Sequence, residues 1–282
     1  MIEQEIKYEM IEEYRQHLIE EEKSKATIEK YIRDIRLFYR FLSPEKVVSK
    51  EVIITYKQKL LDDYKIRSAN SMLVSINNFF SYLGWIDFKI KTYKFQNERM
   101  MDSERELDKN EYQRLLEIAR REGNLRLYYI IQTICATGIR ISELSFITIE
   151  SLEAGQAHVN LKGKNRVVII EKRLRKELLS YCSKQGITAG YVFITSSGKP
   201  VDRSNVWREM KKLSVEAKVN RKKIYPHNLR HLFARTYYKM HKDIVYLADI
   251  LGHSSINTTR IYTSVGRKEH ERNLASLDLV LQ

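Results

Sequence analysis

Apolar residues in the first third of the chain recur at spacings of three and four. Ile28, Tyr31, Ile32, Ile35, Phe38, Tyr39 and Leu42 lay a stripe along one helix face, and Ser43-Pro44 stops that helix. Stripes of the same period run through Ile11, Tyr14 and Leu18 and through Ile53, Tyr56 and Leu60. A further one runs through Met72, Leu73, Ile76, Phe79, Phe80 and Leu83, and Gly84 ends it. The pattern predicts a small four-helix domain over residues 1–92. Glu20 to Lys23 reads as the solvated end of the first helix. From Lys89 to Arg105 the periodicity fades into a polar stretch, so a linker is expected at 93–106.

Beyond it the pattern changes. Asp108 followed by Glu111 reads as a capping box, and Tyr112, Leu115, Leu116 and Ala119 mark the helix it starts. Alternation over Ala157 to Leu161 and the β-branched run Val167 to Ile170 flank Lys162-Gly163-Lys164-Asn165-Arg166, which predicts a hairpin with a short polar turn. Helical patterning then returns. The expected fold is mainly α: a helical N-terminal domain, then an α+β domain over 107–282 with a small antiparallel sheet.

Charge points to a partner. Lys and Arg number 50 against 36 Asp and Glu, a net +14 with a pI near 9.5, which favours an extended polyanion, with nucleic acid the first candidate. Cys135 and Cys182 lie far apart within apolar or helical stretches, so neither a disulfide framework nor a metal cluster is expected, and a reduced cytosolic setting fits. Met1 to Met10 contains no apolar core of a signal peptide, and no run of about eighteen apolar residues occurs, so export and membrane insertion are not expected.

Three clusters carry candidate chemistry. In Thr137 to Leu144, Gly138 breaks one helix, Ser142 is placed to help cap the next, and Arg140 sits at the junction, free to grip phosphate or to pair with Glu143. In Pro226 to His231, Pro226 suits a first helical turn, and His227, Arg230 and His231 at i, i+3 and i+4 put one fixed and two titratable donors on one face. A metal site there lacks an acidic or thiolate set to complete coordination. In the third, Gly252 ends an apolar helix, His253 follows at the turn, and Ser254 to Thr259 supply caps for a short helix leading to Tyr262.

Together these clusters and the Lys162–Arg166 turn stand in the order and spacing of the tyrosine recombinases, the integrase and Xer-like family, which this chain resembles from Leu107 to about Gly266. The helical N-terminal third is similar to that family's core-binding domain in length and stripe pattern. The resemblance implies a tyrosine recombinase fold and DNA strand cleavage through a phosphotyrosine, with no metal or cofactor. It implies that Arg140 and Arg230 clamp the scissile phosphate and that Glu143 supports the first of them. Lys162, or in its place Lys164, would protonate the leaving 5′-oxygen; the sequence departs from the family's longer turn here, and the Lys162-Gly163 pair favours Lys162. His227 would help manage the tyrosine proton, His253 would contact phosphate, His231 would orient its neighbours, and Tyr262 would be the nucleophile.

The same resemblance implies double-stranded DNA with specific sites as partner, two domains embracing the duplex, and a tetramer on two sites in which Lys268 to Gln282, anchored by Leu274, Leu277 and Leu279, packs on a neighbour. The biological setting would be Xer-like resolution, integration or transposon resolution, in the cytoplasm. Two rivals remain at this point: a type IB topoisomerase-like enzyme, and a DNA-binding regulator of the same fold that never cuts.

Overall fold

The computed structural model describes residues 3–94, 105–161, 164–262 and 276, with Leu161 and Lys164 as backbone alone. By contacts the chain divides into two compact units, Met1–Asn97 and Glu98–Gln282.

In the first unit, a two-residue strand β1 (Gln4–Glu5) precedes α1 (Tyr8–Glu20) and α2 (Lys25–Phe41). Strand β2 (Val47–Val48), α3 (Lys50–Asp63) and α4 (Ile66–Tyr82) follow. The helices bury the expected stripes: Ile11, Tyr14 and Leu18 from α1, Ile28, Ile32, Ile35 and Phe38 from α2, Ile53, Tyr56 and Leu60 from α3, and Leu73, Ile76, Phe79 and Phe80 from α4. The antiparallel β1–β2 pair was not anticipated, because two residues are too few to show a period.

The stretch after α4 is not free linker throughout. The Asn77 side chain donates to Ile90 O (2.8 Å) and accepts from Ile90 N (2.9 Å), and two helical turns earlier Asn70 does the same to Tyr93 (2.9 and 2.8 Å). Two amide side chains thus pair the extended chain to α4 as a strand neighbour would. Polar composition alone cannot distinguish this arrangement from a linker.

The second unit opens with α5 (Lys109–Arg121), capped by the Asp108–Glu111 box as expected, and α6 (Leu125–Thr137). A 3-10 turn, Ile141–Phe146, leads to α7 (Ile149–Ala154). Strands β3 (Gln156–Leu161) and β4 (Lys164–Ile169) pair antiparallel, with Leu161 opposite Lys164. Helices α8 (Lys172–Lys184), α9 (Arg203–Lys212), α10 (Pro226–His241), α11 (Ile244–Leu251) and α12 (Ile256–Thr259) follow, and a 3-10 turn carries Arg260–Tyr262.

The hairpin corrects one expectation. Lys164, Asn165 and Arg166 belong to strand β4, so the turn is shorter than the polar string suggests. Period-2 alternation then puts Arg166 on the same side as Val168 and Ile170, which are buried, while Val167 and Ile169 are exposed. Among the described residues no helix is long and apolar enough to cross a membrane.

Candidate active site

Two helix ends meet at the site, and a left-handed glycine closes each. Gly138 caps α6 with φ +64°, and Gly252 caps α11 with φ +61°. Neither position has room for a side chain: a Cβ on Gly138 would lie 2.5 Å from Phe233 Cδ1, and one on Gly252 2.4 Å from Arg166 Cδ. Close approach and positive φ thus both require glycine.

The last carbonyls of a helix have no intrahelical donor and carry the negative end of its dipole. At the end of α11 three guanidiniums fill this role. Arg166 Nη1 donates to Ile250 O, Arg230 Nη2 to Leu251 O (2.6 Å), and Arg140 Nη2 to Gly252 O (3.1 Å). Arg230 Nη1 also donates to Gly138 O. Each glycine cap therefore offers its carbonyl to an arginine from another motif.

Glu143 sits among these cations, almost fully buried, and is the hub of the cluster. Its Oε1 accepts from Arg140 Nη1 (2.8 Å), and its Oε2 accepts from the Arg140 backbone N–H (2.9 Å) and from Arg166 Nη2 (2.5 Å). Burial alone would raise its pKa, but the Arg140 N–H and the Arg166 and Arg140 guanidiniums outweigh burial and hold the carboxyl below its ordinary value. The contact to the Arg140 N–H also caps the 3-10 turn, so the cap comes from Glu143 and not from Ser142 as anticipated.

The two expected arginines differ in environment. Arg140 is about a third exposed, whereas Arg230 is 1% exposed. Burial, then Arg140 and Arg166, push Arg230 down to about 9, so it keeps its charge at neutral pH. Of the five N–H donors of a guanidinium, Arg230 has engaged two on Nη2 and one on Nη1, and Arg140 one on each Nη. Arg140 retains donors that an oxyanion could take, while the remaining donors of Arg230 lie buried beside Tyr262.

The histidines are held neutral. Arg230 Nη2 lies 3.1 Å from His253 Nε2; because arginine only donates, Nε2 accepts, the proton sits on Nδ1, and it is donated to Thr259 Oγ1 at 2.8 Å. Burial and the charges of Arg230, Arg140 and Arg166 push His253 down to about 4. His231 is pushed to about 3 by burial and then by His227, Arg235 and Arg230, and its Nε2 is buried with no partner among the described residues. His227 is also lowered, by burial and by Arg230 and Arg140.

Tyr262 is 5% exposed and packs with Ala234, Leu247 and Leu251. Its ring meets His231 edge-on at 5.1 Å between centroids and lies parallel to His253 at 6.4 Å, while His227 stands behind His231 at 4.4 Å. Burial raises the phenol pKa, against the opposing pull of Arg230 and Arg140.

The fold thus gathers Arg140, Glu143, His227, Arg230, His231, His253 and Tyr262. Lys162 and the C-terminal segment Lys268 to Gln282, apart from Ser276, lie outside the described residues, and Lys164 is described as backbone only. Sequence reasoning missed Arg166 and Thr259. Counting back by twos from Ile170 and Val168 points to Arg166 as inward-facing once the strand is extended that far, whereas Thr259 carries no signal beyond that of a helix cap.

The model of the phage integrase family matches residues 105–269, the span that contains all of these side chains. The chain belongs to the phage integrase family. The model of the phage integrase N-terminal SAM-like domain matches residues 11–85 of this recombinase. Tyrosine recombinase XerA of Pyrococcus furiosus is 27% identical over 277 residues, covering 95% of this chain and 93% of the relative. Tyrosine recombinase XerD of Staphylococcus aureus is 27% identical over 271 residues, covering 92% and 79%. A crystal structure of XerA recombinase matches at 26% identity with a TM-score of 0.53, covering 97% and 99%. A lambda integrase dimer bound to a core site shares the fold, at 18% identity and a TM-score of 0.74, covering 93% and 96%. The chain is a tyrosine recombinase of the Xer type.

Proposed function

We propose that this recombinase cuts and rejoins double-stranded DNA at specific sites through a 3′-phosphotyrosine on Tyr262. The observation that carries the reading is the convergence of Arg140, Arg230 and His253 beside a buried tyrosine, since phosphoryl transfer needs charge on the non-bridging oxygens and an activated nucleophile.

In the proposed step, Tyr262 Oη attacks phosphorus, the new O–P bond forms, and the bond from phosphorus to the 5′-oxygen breaks. The phenol proton passes to the neutral imidazole of His227, which His231, in ring contact with both His227 and Tyr262, orients. Lys162, or Lys164 in its place, gives the 5′-oxygen its proton, so that a 5′-hydroxyl leaves. Arg140 and Arg230 hold the phosphate, Glu143 holds Arg140, and His253, whose Nε2 accepts from Arg230, stands against the phosphate and orients that guanidinium on it. The product keeps a phosphodiester linkage, so the 5′-hydroxyl of another strand reverses the step on a new partner without ATP.

The solved relatives include XerH bound to difH in a post-cleavage complex and a lambda integrase tetramer bound to a Holliday junction. We extend from them to this chain a tetramer on two DNA sites, and we infer from the family resemblance that Lys268 to Gln282 is exchanged between neighbours and that the setting is cytoplasmic. The test is a plasmid carrying two copies of a site recovered from protein-bound genomic fragments. Recombination that requires both copies supports the reading; relaxation of supercoils without site dependence supports a topoisomerase-like enzyme, and footprinting without any cleavage supports a regulator.

A further inference from the structure

Arg166 is not among the groups assigned above, yet it contacts Glu143 and the end of α11, which hold them. It lies on β4 two residues from the start of the strand, its guanidinium is about nine-tenths buried, and it is the third cation of the Glu143 cluster. One end of its fork donates to Glu143 Oε2 and the other to Ile250 O, while its stem passes under Gly252 so closely that only glycine fits there. Its Nε is buried with no partner among the described residues, so it gains nothing from solvent in that pose.

The contacts join three pieces of chain. Glu143 belongs to the turn that carries Arg140, Ile250 to the helix end that anchors Arg230 and Arg140, and Arg166 to the hairpin whose connection holds Lys162 and Gly163. Arg140 and Arg230 have other anchors at Glu143, Gly252, Gly138 and Leu251 and keep these without Arg166. The hairpin depends on Arg166 for its hydrogen bonds to Glu143 and Ile250.

We propose that Arg166 is a positioning residue that bolts the β3–β4 hairpin to the arginine pair and so sets where the hairpin lysine stands relative to the leaving 5′-oxygen. It touches no reacting atom. The inference rests on the mechanism proposed above, in which a hairpin lysine protonates that oxygen. A planar fork bridging a carboxylate and a carbonyl is a task for arginine; a lysine ammonium brings the charge but not the two fixed directions.

The experiment measures single-turnover covalent adduct formation by full-length protein on nicked suicide duplex, with either an ordinary scissile phosphate or a 5′-bridging phosphorothiolate. Sulfur leaves as a thiolate without needing a proton, so this substrate bypasses the lysine. Arg166→Gln and Arg166→Lys should both form adduct about 100-fold more slowly on ordinary DNA, the scale of a roughly 1 Å misplacement. Both should return to within about tenfold of wild type on the phosphorothiolate, with DNA affinity changed by less than about threefold. Equal losses on both substrates would assign Arg166 to the arginine pair or to folding instead. Full activity of Arg166→Lys on ordinary DNA would reduce its role to charge, and either result overturns the proposal.

Arg166→Lys keeps a cation beside Glu143, so it guards against a Gln variant that does not fold, and thermal melting of both variants checks this. Lys162→Ala and Lys164→Ala run in parallel: if neither is rescued by the phosphorothiolate, the lysine mechanism itself fails, which is distinguishable from failure of the bolt.

Discussion

Glu143→Ala tests whether one carboxylate holds the cation cluster together. The side chain is 3% exposed and accepts three hydrogen bonds, two from guanidiniums that face each other across it. Its removal leaves Arg140 with Gly252 O and Arg166 with Ile250 O, and leaves their charges unscreened in a poorly solvated place. Breaking a buried pair by deleting one partner costs about 3–5 kcal/mol. A domain of about 150–250 residues loses roughly 2–4 °C of Tm per kcal/mol, so the expected drop is about 6–20 °C. Glu143→Gln keeps the shape and one acceptor and should fall between the two. Because Arg140 and Arg166 depress the folded pKa of Glu143, the stabilisation is present above its ordinary value of 4.5 and is lost as pH falls through the folded value. The melting difference between wild type and Glu143→Gln should therefore shrink below about pH 4.5. The assay is calorimetric melting across pH, with adduct formation on nicked DNA as the functional readout. An Ala variant that melts within about 2 °C of wild type would refute the view of Glu143 as the hub.

Thr259→Val removes the acceptor that fixes the His253 tautomer and should slow adduct formation by about tenfold, one hydrogen bond's worth, while Thr259→Ser restores it. Gly138→Ala adds a Cβ 2.5 Å from Phe233 at φ +64°, and strain of about 1–2 kcal/mol plus overpacking of about 1–3 kcal/mol should appear as a lower Tm. Binding to duplex DNA should weaken by about 1,000-fold or more between about 50 and about 200 mM salt, in a fluorescence-anisotropy titration, if about six or more phosphates are neutralised. A flat salt profile would contradict phosphate neutralisation by the basic surface, net +14, as the source of affinity.

The helical domain was legible because its stripes are long and regular: Ile32, Ile35 and Phe38 are buried where the period of 3.6 puts them. The site was legible through Gly138-Ile139-Arg140 and Gly252-His253, whose glycines mark helix ends with a basic side chain just beyond, and through Leu229-Arg230-His231 in the first turns of α10. The physical role of the carbonyls at the end of α11 was not legible, since backbone acceptors look alike in every sequence. Arg166 escaped because a string of Lys, Gly, Lys, Asn and Arg reads as a turn until the Leu161–Lys164 pairing shortens it. Asn70 and Asn77 escaped for a related reason: their pairing with Tyr93 and Ile90 depends on a chain segment with no period of its own.

The most direct test of the central claim is trapping on nicked suicide duplex carrying a site recovered from protein-bound DNA, comparing wild type with Tyr262→Phe on a denaturing gel and mapping the DNA-linked peptide. Attack by Tyr262 requires a wild-type adduct at Tyr262 that the Phe variant lacks while still binding the site. An adduct on another residue, or an undiminished adduct in Tyr262→Phe, would contradict it.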